Sequence, residues 1–91
     1  MKQSELVARV AGAAGLTRAA ADTAVKEVFA AIIDEAAQGR DTAISGFGRF
    51  SAVERKARQA KNPATGAVID VPARTALRFK AGPSALERLN G

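Results

Sequence analysis

Between residues 54 and 61 the sequence puts charge on both sides of what had been a regular strand. Up to Val53 polar and apolar residues alternate, and then Glu54, Arg55, Lys56, Arg58 and Lys61 follow in quick succession. Successive strand side chains point to opposite faces, so neither face of this stretch can be packed against an apolar body without stranding a charge. Asn62-Pro63-Ala64-Thr65-Gly66 comes next, and its chemistry is that of a turn, with proline fixing one φ and glycine free to take a positive one. Residues 67–71 return to strand composition. Pro72 then lacks the N–H that a central strand would donate, which suits a sheet edge or a free ribbon. Segment 54–71 therefore reads as a two-stranded β-arm that leaves the body, turns and comes back.

The body on either side is equally patterned. Leu6, Val7, Val10, Ala11 and Ala14 recur at helical spacing and predict a helix over residues 4–14, stopped by Gly15. Thr17 is a good N-cap for a second helix, with Leu16 before it able to staple against Ala21. Along that helix Ala24/Val25, Val28/Phe29, Ile32/Ile33 and Ala36/Ala37 step by four residues to Gly39, giving an apolar stripe too broad for one short helix to cover. After Gly39 the period changes. Residues 42–45 read as a short strand, Gly46-Phe47-Gly48 as a tight turn, and Arg49 onward as a second strand with Phe50 inward and Arg49, Ser51, Val53 and Arg55 on the other face. Residues 76–80 form a third strand, with Leu77 and Phe79 inward and Arg78 and Lys80 outward. Gly82-Pro83-Ser84 opens a short last helix carrying Leu86 and Leu89, with proline tolerated in its first turn. The fold class is α+β: two N-terminal helices (within residues 1–39), then a three-stranded antiparallel sheet, its arm and a C-terminal helix (40–91), all in one domain.

A single chain of 91 residues is small enough to be marginal alone, since a domain of this size buries only roughly 60–65% of its unfolded surface. It has neither Cys nor His, which excludes disulfides and the common zinc sites and leaves self-association as the remedy. No motif places a general base, so the chain is expected not to be an enzyme, and no cofactor or metal is expected. No apolar run approaches membrane length and no leader pattern opens the chain, so a cytoplasmic protein is expected. The charge is +5 overall but lies in one place. Residues 1–48 hold five bases against six acids, whereas 49–80 hold eight bases against two acids, a net of +6. Confinement of this kind suits a polyanion more than a solubilising surface.

Together, Gly46-Phe47-Gly48-x-Phe50, Glu54-Arg55-x-x-Arg58, Asn62-Pro63-x-Thr65-Gly66, Pro72-Ala73 and Phe79-Lys80-x-Gly82 resemble the HU/IHF family of bacterial histone-like DNA-binding proteins along nearly the whole chain. The resemblance implies an intertwined dimer that works in the nucleoid and bends and compacts double-stranded DNA largely without sequence readout, with arms in the minor groove. That family is itself a standard example of minor-groove wedging. Carried over by residue, Arg55, Arg58 and Lys61 would meet the backbone along the arm together with Lys56. Pro63 would be the wedge, beside Asn62, and Arg49, Arg74, Arg78 and Lys80 would line the saddle between arms. Bent, nicked or gapped DNA would be preferred, and the second protomer would be an identical chain or a paralogue. Three departures stand out: Val53 where many members carry Arg, Gln3 where many carry Lys, and Pro83-Ser84 in place of a common Lys.

Blander readings attach to several of these residues. Asn-Pro-x-x-Gly is a turn in any protein, and Phe29, Phe47, Phe50 and Phe79 are expected to pack in the core, not to stack on bases. Arg9, Arg18 and Lys26 read as ordinary helix surface. The alternatives to architectural DNA binding are an RNA-binding or chaperone module, a site-preferring IHF-type subunit, and a dimerisation domain whose charge serves only solubility.

Overall fold

The computed structural model describes all 91 residues, and the chain divides into two compact units, Met1–Asp34 and Glu35–Gly91.

The first unit is a helical pair. Helix α1 spans Gln3–Ala14 and ends on Gly15 in the left-handed conformation. There the N–H groups of Gly15 and Leu16 both bond back to the Ala11 carbonyl, a Schellman-type stop that needs glycine's freedom at positive φ. Helix α2 spans Arg18–Ala37. Its N-cap is Thr17, whose Oγ1 accepts from the Ala20 N–H at 3.1 Å, satisfying one of the donors that a helix start leaves orphaned. Val7, Ala21 and Val25 form the buried cluster between the helices, flanked by Leu6, Val10 and Ala11. The broad stripe of α2 is thus split lengthwise. Ala21, Val25 and Ile32 are buried, while Val28, Phe29 and Ile33 stay about half exposed at 51%, 50% and 52%. Arg18 and Lys26 have partners within this unit, the Ser4 carbonyl at 3.4 Å and Asp22 at 2.9 Å.

The second unit begins with the end of α2. Arg40 folds back to donate two hydrogen bonds to Glu35, at 2.8 and 3.0 Å. Those bonds hold the Glu35 carboxyl below its ordinary value and the guanidinium above its own. A three-stranded antiparallel sheet follows in the order β1-β2-β5, with β1 at Thr42–Ile44, β2 at Gly48–Arg55 and β5 at Arg74–Ala81. Between β1 and β2 the Phe47 N–H bonds to the Ile44 carbonyl, and Gly46 supplies the positive φ (74°) at the turn's third position. Gly48 sits where no side chain fits: an added Cβ would lie 2.5 Å from the Lys80 carbonyl oxygen and 2.7 Å from a Phe79 ring carbon. Helix α3, Pro83–Asn90, closes the chain with Pro83 in its first turn.

β2 and β5 are paired from Gly48↔Ala81 to Arg55↔Arg74. The pairing then lapses at Lys56-Ala57 and Pro72-Ala73 and resumes as a separate two-stranded ribbon, β3 (Arg58–Lys61) with β4 (Val68–Val71). The ribbon's own ladder therefore starts at Arg58. Glu54 and Arg55 are held by the body sheet, because β5 begins at Arg74, two residues before the apolar pattern that marks it in the sequence.

Three of the four phenylalanines pack together without being sealed, while Phe29, also expected in the core, is left half exposed because its stretch of α2 has no neighbour in the same chain to cover it. Phe47, Phe50 and Phe79 form one cluster, with ring centroids 4.8 Å apart for Phe50–Phe79 and 5.0 Å for Phe47–Phe79, distances at which tilted rings attract. Phe47, Phe79 and Leu77 nevertheless remain exposed, as do Leu86 and Leu89 on α3. Only Val7, Ala21, Val25 and Ile32 are buried in the whole chain, far less apolar burial than a domain of this length needs to stand alone.

Candidate nucleic-acid interface

Cross-strand partners in an antiparallel ladder share a face, and faces alternate along the strand. The β2–β5 register therefore assigns every side chain. Phe50↔Phe79 and Ala52↔Leu77 lie on one face; Arg49↔Lys80, Ser51↔Arg78, Val53↔Ala76 and Arg55↔Arg74 lie on the other. The second face carries cations and no acid. At two steps of its ladder like charges stand directly opposite, Arg49 against Lys80 and Arg55 against Arg74, an arrangement that costs stability wherever counter-charge is lacking.

Little counter-charge is supplied from within. Arg49 reaches Asp41 at 3.6 Å across an exposed pair. Arg55, Arg74, Arg78 and Lys80 make no ion pair, and neither do Lys56, Arg58 and Lys61. All of these side chains are exposed.

The ribbon continues the charge onto two faces. Arg58 shares one face with Ala60, Ile69 and Val71, and Lys61 shares the other with Gln59, Val68 and Asp70. Val68 and Ile69 are exposed on opposite sides, so the ribbon has no interior of its own. It holds together by its ladder and its tip. At the tip the Asn62 N–H donates to the Ala67 carbonyl at 2.8 Å, and the Gly66 N–H donates to the Asn62 carbonyl at 2.7 Å. The Asn62 side-chain oxygen accepts from the Ala64 N–H at 2.9 Å, a local cap of the kind asparagine makes in turns. Asn62 is thus half-buried in its own turn, and Pro63 beside it is exposed at the extremity of the hairpin.

Arg49, Arg55, Arg74, Arg78 and Lys80 are brought together on one sheet face. Lys56 stands at the junction, and Arg58, Lys61, Asn62 and Pro63 run out along the ribbon. Two polar contacts have no signal in the sequence. Asp41 is paired to Arg49, and the Gln59 side-chain amide donates to Asp70 Oδ1 at 3.3 Å across the ribbon. Both depend on register between segments, which composition does not carry.

The chain is similar to known proteins along nearly its whole length. The chain is 43% identical over 90 residues to the DNA-binding protein HRL18 of Rhizobium leguminosarum, covering 99% of each. It is 38% identical over 90 residues to the DNA-binding protein HU-beta of Serratia marcescens, covering 99% of this chain and 100% of that one. Among solved structures, HU from Anabaena in a cocrystal with DNA superposes with a TM-score of 0.88 at 35% identity, over 98% of this chain and 97% of that one. A mutant of HU from Thermotoga maritima superposes with a TM-score of 0.72 at 26% identity, over 98% and 99%. The family model described as bacterial DNA-binding protein matches residues 1–90, and with relatives this similar over their full length the chain belongs to that family.

Proposed function

We propose that the chain is a histone-like architectural protein that binds double-stranded DNA as a dimer, largely independently of sequence, and bends and compacts it in the nucleoid. The observation that carries this reading is the acid-free β2–β5 face, whose cations stand opposite one another, all but Arg49 without an ion pair, and lead straight into a basic ribbon tipped by Pro63. Duplex DNA presents about one negative charge per 1.7 Å of axis, and neutralising phosphates releases counterions. The repulsion across Arg55/Arg74 and Arg49/Lys80 is then relieved by the ligand. The solved relative from Anabaena was crystallised with DNA, which supports the same assignment here.

In this reading Arg49, Arg55, Arg74, Arg78 and Lys80 form a saddle for the backbone. Lys56, Arg58 and Lys61 grip phosphates along an arm laid in the minor groove, and Pro63, held out by the Asn62 turn, wedges between base pairs. The helical part, residues 1–39, dimerises. A second copy covers the half-exposed Val28, Phe29 and Ile33, and the dimer likewise supplies cover for the apolar face of the sheet and for α3. No catalytic step is assigned. No helix is long and apolar enough to cross a membrane.

Kinking costs on the order of a few kcal/mol, less where the duplex is already interrupted. Gapped duplex is therefore bound more tightly than intact duplex of the same sequence. In a fluorescence-transfer assay on end-labelled duplex, Pro63→Ala gives a smaller bend angle than the parent. Equal affinity for the two duplexes, with equal angles for the two proteins, would remove the wedge.

A further inference from the structure

Resting on the placement of the arm in the minor groove, we propose that Asp70 is a specificity-determining residue, biasing the arm toward G·C pairs by accepting a hydrogen bond from the exocyclic amino group of guanine. In a region of net charge +6, residues 49–80, only two acids occur, Glu54 and Asp70. Glu54 pairs with Thr75 on the apolar-side face of the sheet, away from the cations of the saddle. Asp70 is on the ribbon itself, exposed, on the face that also carries Gln59 and Lys61. It makes no ion pair. One carboxylate oxygen, Oδ1, accepts from the Gln59 amide at 3.3 Å, and Oδ2 has no protein donor.

An anion carried into the groove is repelled by phosphates on both walls, and the repulsion is greatest in narrow A·T tracts, where the negative potential is strongest. The floor there offers only acceptors, A N3 and T O2, so a carboxylate finds nothing to bond. A G·C pair alone adds a donor, the guanine 2-amino group. The opposite ribbon face, with Ala60, Ile69 and Val71 beside Arg58, has no acceptor side chain. On the face it shares with Gln59, Lys61 and Val68, Asp70 is the one charged acceptor, and the Gln59 amide is the positioning group that orients it.

The test measures affinity of the full-length protein and of Asp70→Asn for three gapped duplexes of equal length. The positions flanking the gap, where the arms lie, are A·T, G·C or inosine·C. Inosine removes only the 2-amino group and leaves the rest of the pair, and using identical duplexes for both proteins cancels differences in DNA stiffness. Asn keeps an oxygen acceptor but loses the charge, so the parent is expected to prefer G·C over inosine·C by about three- to tenfold more than Asp70→Asn does, the scale of the difference between a charged and a neutral hydrogen bond. Equal ratios for the two proteins, even with Asp70→Asn binding all three duplexes more tightly, would overturn the proposal and leave DNA binding intact. Failure of the parent to bind any of the duplexes would instead overturn the placement of the arm, and this inference with it.

Discussion

Phe29 sits at the middle of the uncovered half of α2, and truncating it tests whether that half is an interface. The side chain is 50% exposed in the single chain. An aromatic residue buries roughly 150–250 Å² when fully covered, so association removes about 100 Å² more of Phe29 from water. At about 25 cal/mol per Å² that is about 2.5 kcal/mol for each protomer and about 5 kcal/mol for the dimer. Alanine keeps part of this, so Phe29→Ala is expected to cost about 4 kcal/mol of association, or about three decades in dissociation constant. Helix propensity does not confound the result, because alanine is the best helix former. Sedimentation equilibrium across a dilution series reads the dissociation constant directly. Thermal melts at several concentrations provide a second measure, since the midpoint of a dimer rises with protein concentration. A variant that associates as tightly as the parent, with the same concentration-dependent midpoint, would refute the assignment of this face to a second copy.

Two stability predictions come from close contacts. Gly48→Ala forces a Cβ to within 2.5 Å of the Lys80 carbonyl oxygen, a backbone atom that cannot swing aside; a loss of about 1–3 kcal/mol is expected from the overpacking, seen as a lower denaturant midpoint, and an unchanged midpoint would contradict the geometry. Thr17→Ala removes the acceptor of the Ala20 N–H and should cost about 1 kcal/mol, measurable in the same titration; Thr17→Ser should restore most of it.

Much of the fold is legible in the sequence because its determinants are local. The four-residue step from Ala24/Val25 to Ala36/Ala37 and the Thr17 cap define α2 closely, and Gly15 stops α1 where a left-handed residue is needed. The arm is legible from a failure of pattern, since charge on both faces after Val53 leaves a strand nowhere to be buried. What cannot be read depends on non-local pairing. Arg74 and Thr75 carry no apolar signal, yet they are strand because Arg55 and Glu54 lie opposite them. Alternation turns Leu77 and Phe79 inward, and they do share a face with Phe50, but in one chain that face is only partly covered. The sequence pattern marks which residues want covering and does not say whether the cover comes from the same chain. Asp70 is the least visible, one acid in a basic segment, and only the ribbon register sets it beside Gln59.

The account stands on the unpaired cations of the β2–β5 face and the ribbon meeting DNA phosphates, and the salt dependence of binding measures that contact most directly. With roughly 6–10 phosphates neutralised per dimer, log K against log salt is expected to fall with a slope of about −5 to −9. Arg58→Ala, which deletes one such contact from each arm, is expected to make that slope shallower by about 2 while weakening binding to all duplexes alike. A slope near zero for the parent protein would contradict the account.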